Sequence, residues 1–148
     1  MEYEKWLRER LIKKQDPDFR QIRNQLRRAE KDLLTAEAVL GIDRTWCFTI
    51  AYHATIRACR ALMYSRGFLP TAKNSHKTVL EFTRALFGDE PGQLLLRLDR
   101  MRRKRHDFIY EAENHTSESE ARTALATAQA LIERILILVS REKRGTLL

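Results

Sequence analysis

The stretch 43–66 constrains the fold more than any other part of the chain. At about 100° per residue, Trp46, Phe48, Ile50, Ala51, Ala54, Ile56, Ala58, Cys59, Ala61, Leu62 and Met63 cover most of a helix's circumference. A helix apolar nearly all round must be central, with neighbours on several sides. Its alanines allow those neighbours to come close. Asp43 can cap it and Gly67 can close it. Only five Gly and three Pro occur in 148 residues, too few for an all-β chain with many turns. No segment of strand periodicity reaches a convincing length. The sequence therefore predicts one all-α domain over 1–148, an up-and-down antiparallel four-helix bundle with one or two short accessory helices.

Other helices fit around this centre. Residues 1–15 predict an accessory amphipathic helix, with Tyr3, Trp6, Leu7 and Leu11 on one side. Asp16 and Pro17 suit the cap and first turn of a second helix. It carries Ile22, Leu26, Ala29, Leu33, Ala36 and Leu40 at heptad-like spacing, and Gly41 ends it. Ser75 opens a short helix that buries Val79, Phe82 and Leu86. Ser117 and Glu120 match the capping box S-x-x-E and open the last long helix, whose run LILV widens its apolar face. Residues 145–148 are expected to fray.

The net charge is +8, which favours anionic partners such as nucleic acid. Nothing resembles a secretion signal, and no apolar run approaches the roughly 20 residues of a bilayer span. A cytoplasmic protein without a membrane partner is expected. Cys47 and Cys59 lie about 18 Å apart on one helix at 1.5 Å rise per residue, too far for a disulfide. They read as free core thiols, and their spacing is not that of a zinc site. No Gly-rich phosphate loop, G-x-S-x-G or HExxH is found; no cofactor or metal is expected. His53 could serve as an acid or base, but a hydrogen-bonded core histidine is the preferred reading.

The strongest functional signal is LLLRLDRMRRKRHDFIYEA at 94–112. On a helix, Leu94, Leu98, Met101, Phe108 and Ala112 form an apolar stripe. Arg97, Arg100, Arg102, Arg103 and Lys104 fan out beside it as candidate nucleic-acid ligands. Arg105 falls inside the stripe, about 20° from Leu94. A buried unpaired charge costs several kcal/mol, so Arg105 needs a partner. It either reaches past the helix edge to a carboxylate such as Glu37, or waits in a cleft for an anion. His106 and Tyr110 follow one helical turn apart.

In this order the helices resemble the HEPN domains, helical bundles of higher eukaryotes and prokaryotes. RRAEKDLLTAEAVL looks like the first bundle helix of that family, AYHATIRACRALMYSRGF like the second, and SHKTVLEF like the short helix after the long loop. RHDFIYE stands where the family carries its functional motif. The family's ribonuclease members have Arg, a polar residue, three further residues, then His, paired across a dimer around the scissile phosphate. Here Arg105 takes the Arg place, His106 the polar place, and Tyr110 stands for the catalytic His. Arg100 and His106 offer a looser spacing on the exposed fan. Tyr titrates near 10 against about 6.5 for His and is a poor base at neutral pH. The resemblance thus points to the subset with Tyr for His. It implies a homodimer that binds nucleotides or RNA, leans away from strong catalysis, and belongs to a toxin–antitoxin system or pairs with a nucleotidyltransferase. The alternatives are a metal-independent endoribonuclease using Arg105 and His106, and a structural protein–protein interaction bundle.

Overall fold

A computed structural model describes residues 3–72, 75–87, 96–104 and 116–147, with 142–147 described by backbone alone. The elements in chain order are α1 (Tyr3–Arg8), β1 (Ile12–Lys14), α2 (Phe19–Val39), α3 (Arg44–Ser65), β2 (Phe68–Pro70), α4 (Ser75–Phe87), α5 (96–104) and α6 (Glu118–Leu147). The all-α expectation holds. The bundle is built from α2, α3, α5 and α6, with α1 and α4 as accessories.

α3 is the centre, as its composition requires. Ala51, Tyr52, Ala54, Ala58, Cys59, Leu62 and Met63 have no exposed surface, and α2, α4 and α6 all pack against it. α2 follows its heptad pattern: Ile22, Leu26, Ala29, Leu33 and Ala36 are buried. The short turn after α2 sends α3 back antiparallel, so that Gln25 and Asp32 of α2 meet Arg57 of α3. Asp43 caps α3 by accepting from the Trp46 N–H at 2.9 Å. The capping box of α6 forms: Ser117 Oγ accepts from the Glu120 N–H at 3.0 Å, and Glu120 Oε1 accepts from the Ser117 N–H at 3.1 Å. A hydrogen bond of 3.1 Å between Thr45 and Thr116 brings the starts of α3 and α6 together.

The N-terminal segment differs from expectation. The helix stops at Arg8, and residues 12–14 pair with 68–70 as a small antiparallel sheet, Ile12 opposite Pro70. Arg10 makes the break: it takes φ +56°, while its N–H bonds to Leu7 O and the Leu11 N–H to Trp6 O. This is a helix terminus normally built on glycine. The chain tolerates Arg there because Trp6 and Ile12 are buried on either side of the break. Tyr3, Trp6, Phe68 and Phe82 form an aromatic cluster beneath it, with Tyr3 stacked on Phe82 at 5.2 Å. The sheet also moves the α2 cap. Gln15 N–H bonds to Gly67 O at 2.9 Å, which holds the chain extended past Asp16, so Asp18 caps the helix instead. Gly67, at φ +88°, turns the chain from α3 into β2, a backbone conformation that favours glycine.

A second correction concerns α6. Over Glu118–Arg141 it is long and apolar enough to cross a bilayer by length and composition. In this fold its apolar side is spent on the core, with Ala128, Leu131 and Ile135 fully enclosed. The run LILV splits: Val139 faces inward, Leu136 and Leu138 are partly buried, and Ile137 is half exposed.

Both cysteines are free and buried. Burial pushes the Cys59 thiol up to about 12, partly offset by a hydrogen bond with Thr83. Burial also raises Cys47, and the Arg122 charge opposes that shift. His53 is not the expected core histidine. It is exposed on α3, and its neighbour Tyr52 takes the core position.

Candidate nucleic-acid interface

α5 is anchored by Leu98 and Met101, both buried, which fixes where its basic residues point. The fan resolves into two groups. Asp99 gathers one: its carboxylate takes Arg102 at 3.2 Å and Arg103 at 2.9 Å, pairs of i,i+3 and i,i+4 spacing. These two guanidinium groups are partly neutralised on the flank of the helix. The second group is Arg97, Arg100 and Lys104, which fall within about 60° of one another on the helix. Lys104 is half-buried and paired with Glu120. Arg97 and Arg100 are exposed and make no ion pair among the described residues.

Arg97, Arg100 and Lys104 border a cavity of about 240 Å³ between α5 and the first half of α6. Phe48 and Met101 give it an apolar wall, and Thr123 and Thr127 line it from α6. Thr127 is 2% exposed, and its Oγ1 has no hydrogen-bond partner among the described residues. A buried hydroxyl without a partner forfeits hydration for nothing. The arrangement suits a ligand with an anionic part at the arginines and a polar atom reaching inward.

Arg105, His106 and Tyr110 lie outside the described residues, as do Leu94, Phe108 and Ala112 of the stripe. Glu37, the suggested partner of Arg105, is exposed on α2. Sequence reasoning grouped the five basic residues of the fan as equals; the structure separates them by their acidic neighbours. It also missed Phe48, Glu120 and Thr127. Glu120 was visible as a capping residue, but its second oxygen's ion pair with Lys104 joins segments that only the fold brings together.

Among metal-ligating side chains, the described residues contain no cluster of three or more His, Cys, Asp or Glu able to hold an ion. No curated protein of known function matches the chain. A family model does match, over residues 22–138, which takes in all but the first three residues of α2, α3 to α5, and most of α6. The bundle centred on α3, the short helix α4 and the basic α5 all fall inside that span, and the chain belongs to the HEPN domain family.

Proposed function

We propose that this chain is a HEPN module that binds RNA or nucleotides through the Arg97–Arg100 face of α5, without strong catalysis of its own. One observation carries the reading. Two exposed arginines without an ion pair among the described residues border a cavity that is also lined by an unsatisfied buried hydroxyl, and the acid in that lining, Glu120, is paired with Lys104. Membership of a family of nucleotide-binding and ribonuclease-type modules supports it. The contact is mainly electrostatic, since phosphates are what exposed guanidinium groups meet first. Fluorescence anisotropy with a labelled single-stranded oligoribonucleotide tests it. Replacing both arginines by glutamine should abolish most binding while the helical circular dichroism stays unchanged. Binding that survives the double change would sink the assignment. Metal-free cleavage that is lost in His106→Ala would overturn the non-catalytic part and favour the endoribonuclease reading.

The same proposal includes a homodimer. Ile42 and Trp46 are 85% and 56% exposed, at the end of the bundle where α3 and α6 begin. Large apolar side chains left in water there suit coverage by a second copy. A monomer mass by light scattering at micromolar concentration would count against it. Pairing with a nucleotidyltransferase or action within a toxin–antitoxin system rests on the family resemblance, and co-purification with the product of a neighbouring gene tests it.

A further inference from the structure

A second cleft opens on the other side of α3. Phe48, in the wall of the first cavity, and Arg57 are about 180° apart on that helix. The second cleft measures about 490 Å³ and takes residues from α2, α3 and α4. α3 supplies His53, Arg57, Arg60 and Tyr64, whose spacing puts them on one stripe. α2 supplies Gln21 and Gln25, and α4 supplies His76 from its first turn.

The polar lining carries positive, protonatable or neutral groups and no carboxylate. The acid that reaches its edge is Asp32, 3.7 Å from Arg57 Nε, and that carboxylate is shared with Arg28 at 3.0 Å. Arg57 also donates to Gln25 Oε1, which holds its guanidinium in the cleft wall. Arg60 is exposed and makes no ion pair among the described residues. The first turn of α4 contains no acid, so the positive end of its helix dipole is not offset from within that turn. Behind this wall, the fully buried Tyr52 places its hydroxyl 2.8 Å from His76 Nδ1. That bond fixes the orientation of the imidazole at the cleft edge. His53 stands beside it, with ring centroids 6.3 Å apart.

We propose that this cleft binds a phosphate monoester, the terminal phosphate carried by nucleoside monophosphates and by 5′-phosphorylated RNA ends. A terminal phosphate has three acceptor oxygens and nearly two negative charges, where a phosphate within a chain has one. It needs donors arriving from several directions. The cleft offers the guanidinium groups of Arg57 and Arg60, the imidazole of His76 and the amides of Gln21 and Gln25, from three separate helices. The exposed rim of α5 offers donors along one line, which suits a chain. The two sites are distinct, and this one stands whether or not α5 binds RNA.

Calorimetric titration of the intact chain with adenosine monophosphate, inorganic phosphate and adenosine tests the proposal. The monophosphate and inorganic phosphate should compete, and adenosine should not bind. Arg60→Gln should weaken the monophosphate by about tenfold or more, as loss of a charge-assisted contact does. Arg57→Lys should weaken it as well, since Lys lacks the planar fork. Arg122→Gln, at an exposed position of α6 outside the lining of either cavity, should leave it within about twofold. Oligoribonucleotides with and without a 5′ phosphate then separate the two sources. A phosphate-dependent gain lost in Arg60→Gln identifies an RNA end; no gain, with the monophosphate still bound, identifies a free nucleotide. No heat with the monophosphate or phosphate at millimolar concentration overturns the proposal. So does binding indifferent to Arg60→Gln.

Discussion

Asp99→Asn should strengthen RNA binding and make it more sensitive to salt. In the native chain Asp99 engages Arg102 and Arg103, leaving Arg97 and Arg100 as the arginines of α5 without an ion pair among the described residues. Each phosphate neutralised on a single strand contributes about −0.7 to the slope of log K against log salt. Two arginines give about −1.4, so affinity falls about sevenfold between 50 and 200 mM salt. Asparagine keeps the shape but loses the charge. With both guanidinium groups released the slope approaches about −2.8, and the same salt step costs about fiftyfold. The fold should barely notice. The side chains are 31–73% exposed, and surface pairs of this kind contribute about 0–1 kcal/mol. Anisotropy titrations across a potassium chloride series measure the slope, and thermal denaturation checks the fold. An unchanged slope in a folded variant would refute the idea that Asp99 restrains the fan.

Arg10→Gly should stabilise the chain by about 0.5–1 kcal/mol, because it removes the left-handed strain at φ +56° at some cost in unfolded-state entropy; urea denaturation reads it. Ser117→Ala should cost about 1 kcal/mol by opening the capping box, read by the same denaturation midpoint. The Cys59 thiol is held at about 12 against 9.0 for an ordinary cysteine. Its contribution to stability is therefore complete below about pH 9 and is lost as pH rises towards 12. Denaturation midpoints at rising pH should fall less in Cys59→Ala than in the native chain, and an equal fall in both would contradict the assignment.

Much of the fold was readable because it is written in local periodicity. The stripe Ile22, Leu26, Ala29, Leu33 and Ala36 became the buried face of α2, and S-x-x-E became a formed capping box. What could not be read joins distant segments. No glycine marks the break at Arg10, since the pull comes from pairing with 68–70. Trp46 looked like part of the central helix's cover, yet its side chain is more than half exposed while its neighbours Cys47 and Phe48 are buried. In the site, the basic run was plain, but Asp99's grip and the Lys104–Glu120 pair depend on rotamers and on α6. The cleft of Arg57, Arg60 and His76 needed three helices side by side before its donors faced a common space.

The family match starts at residue 22, downstream of α1 and β1. That boundary is a trap for anyone trimming the chain to a minimal domain. Cutting there would strip Tyr3, Trp6 and Ile12 off the foot of α4 and leave Phe68 and Phe82 as a greasy, water-facing scar. Such a fragment would clump on expression, and its insolubility would be mistaken for a weakness of the bundle. A purification tag is better fused ahead of the whole N-terminal strap than substituted for it.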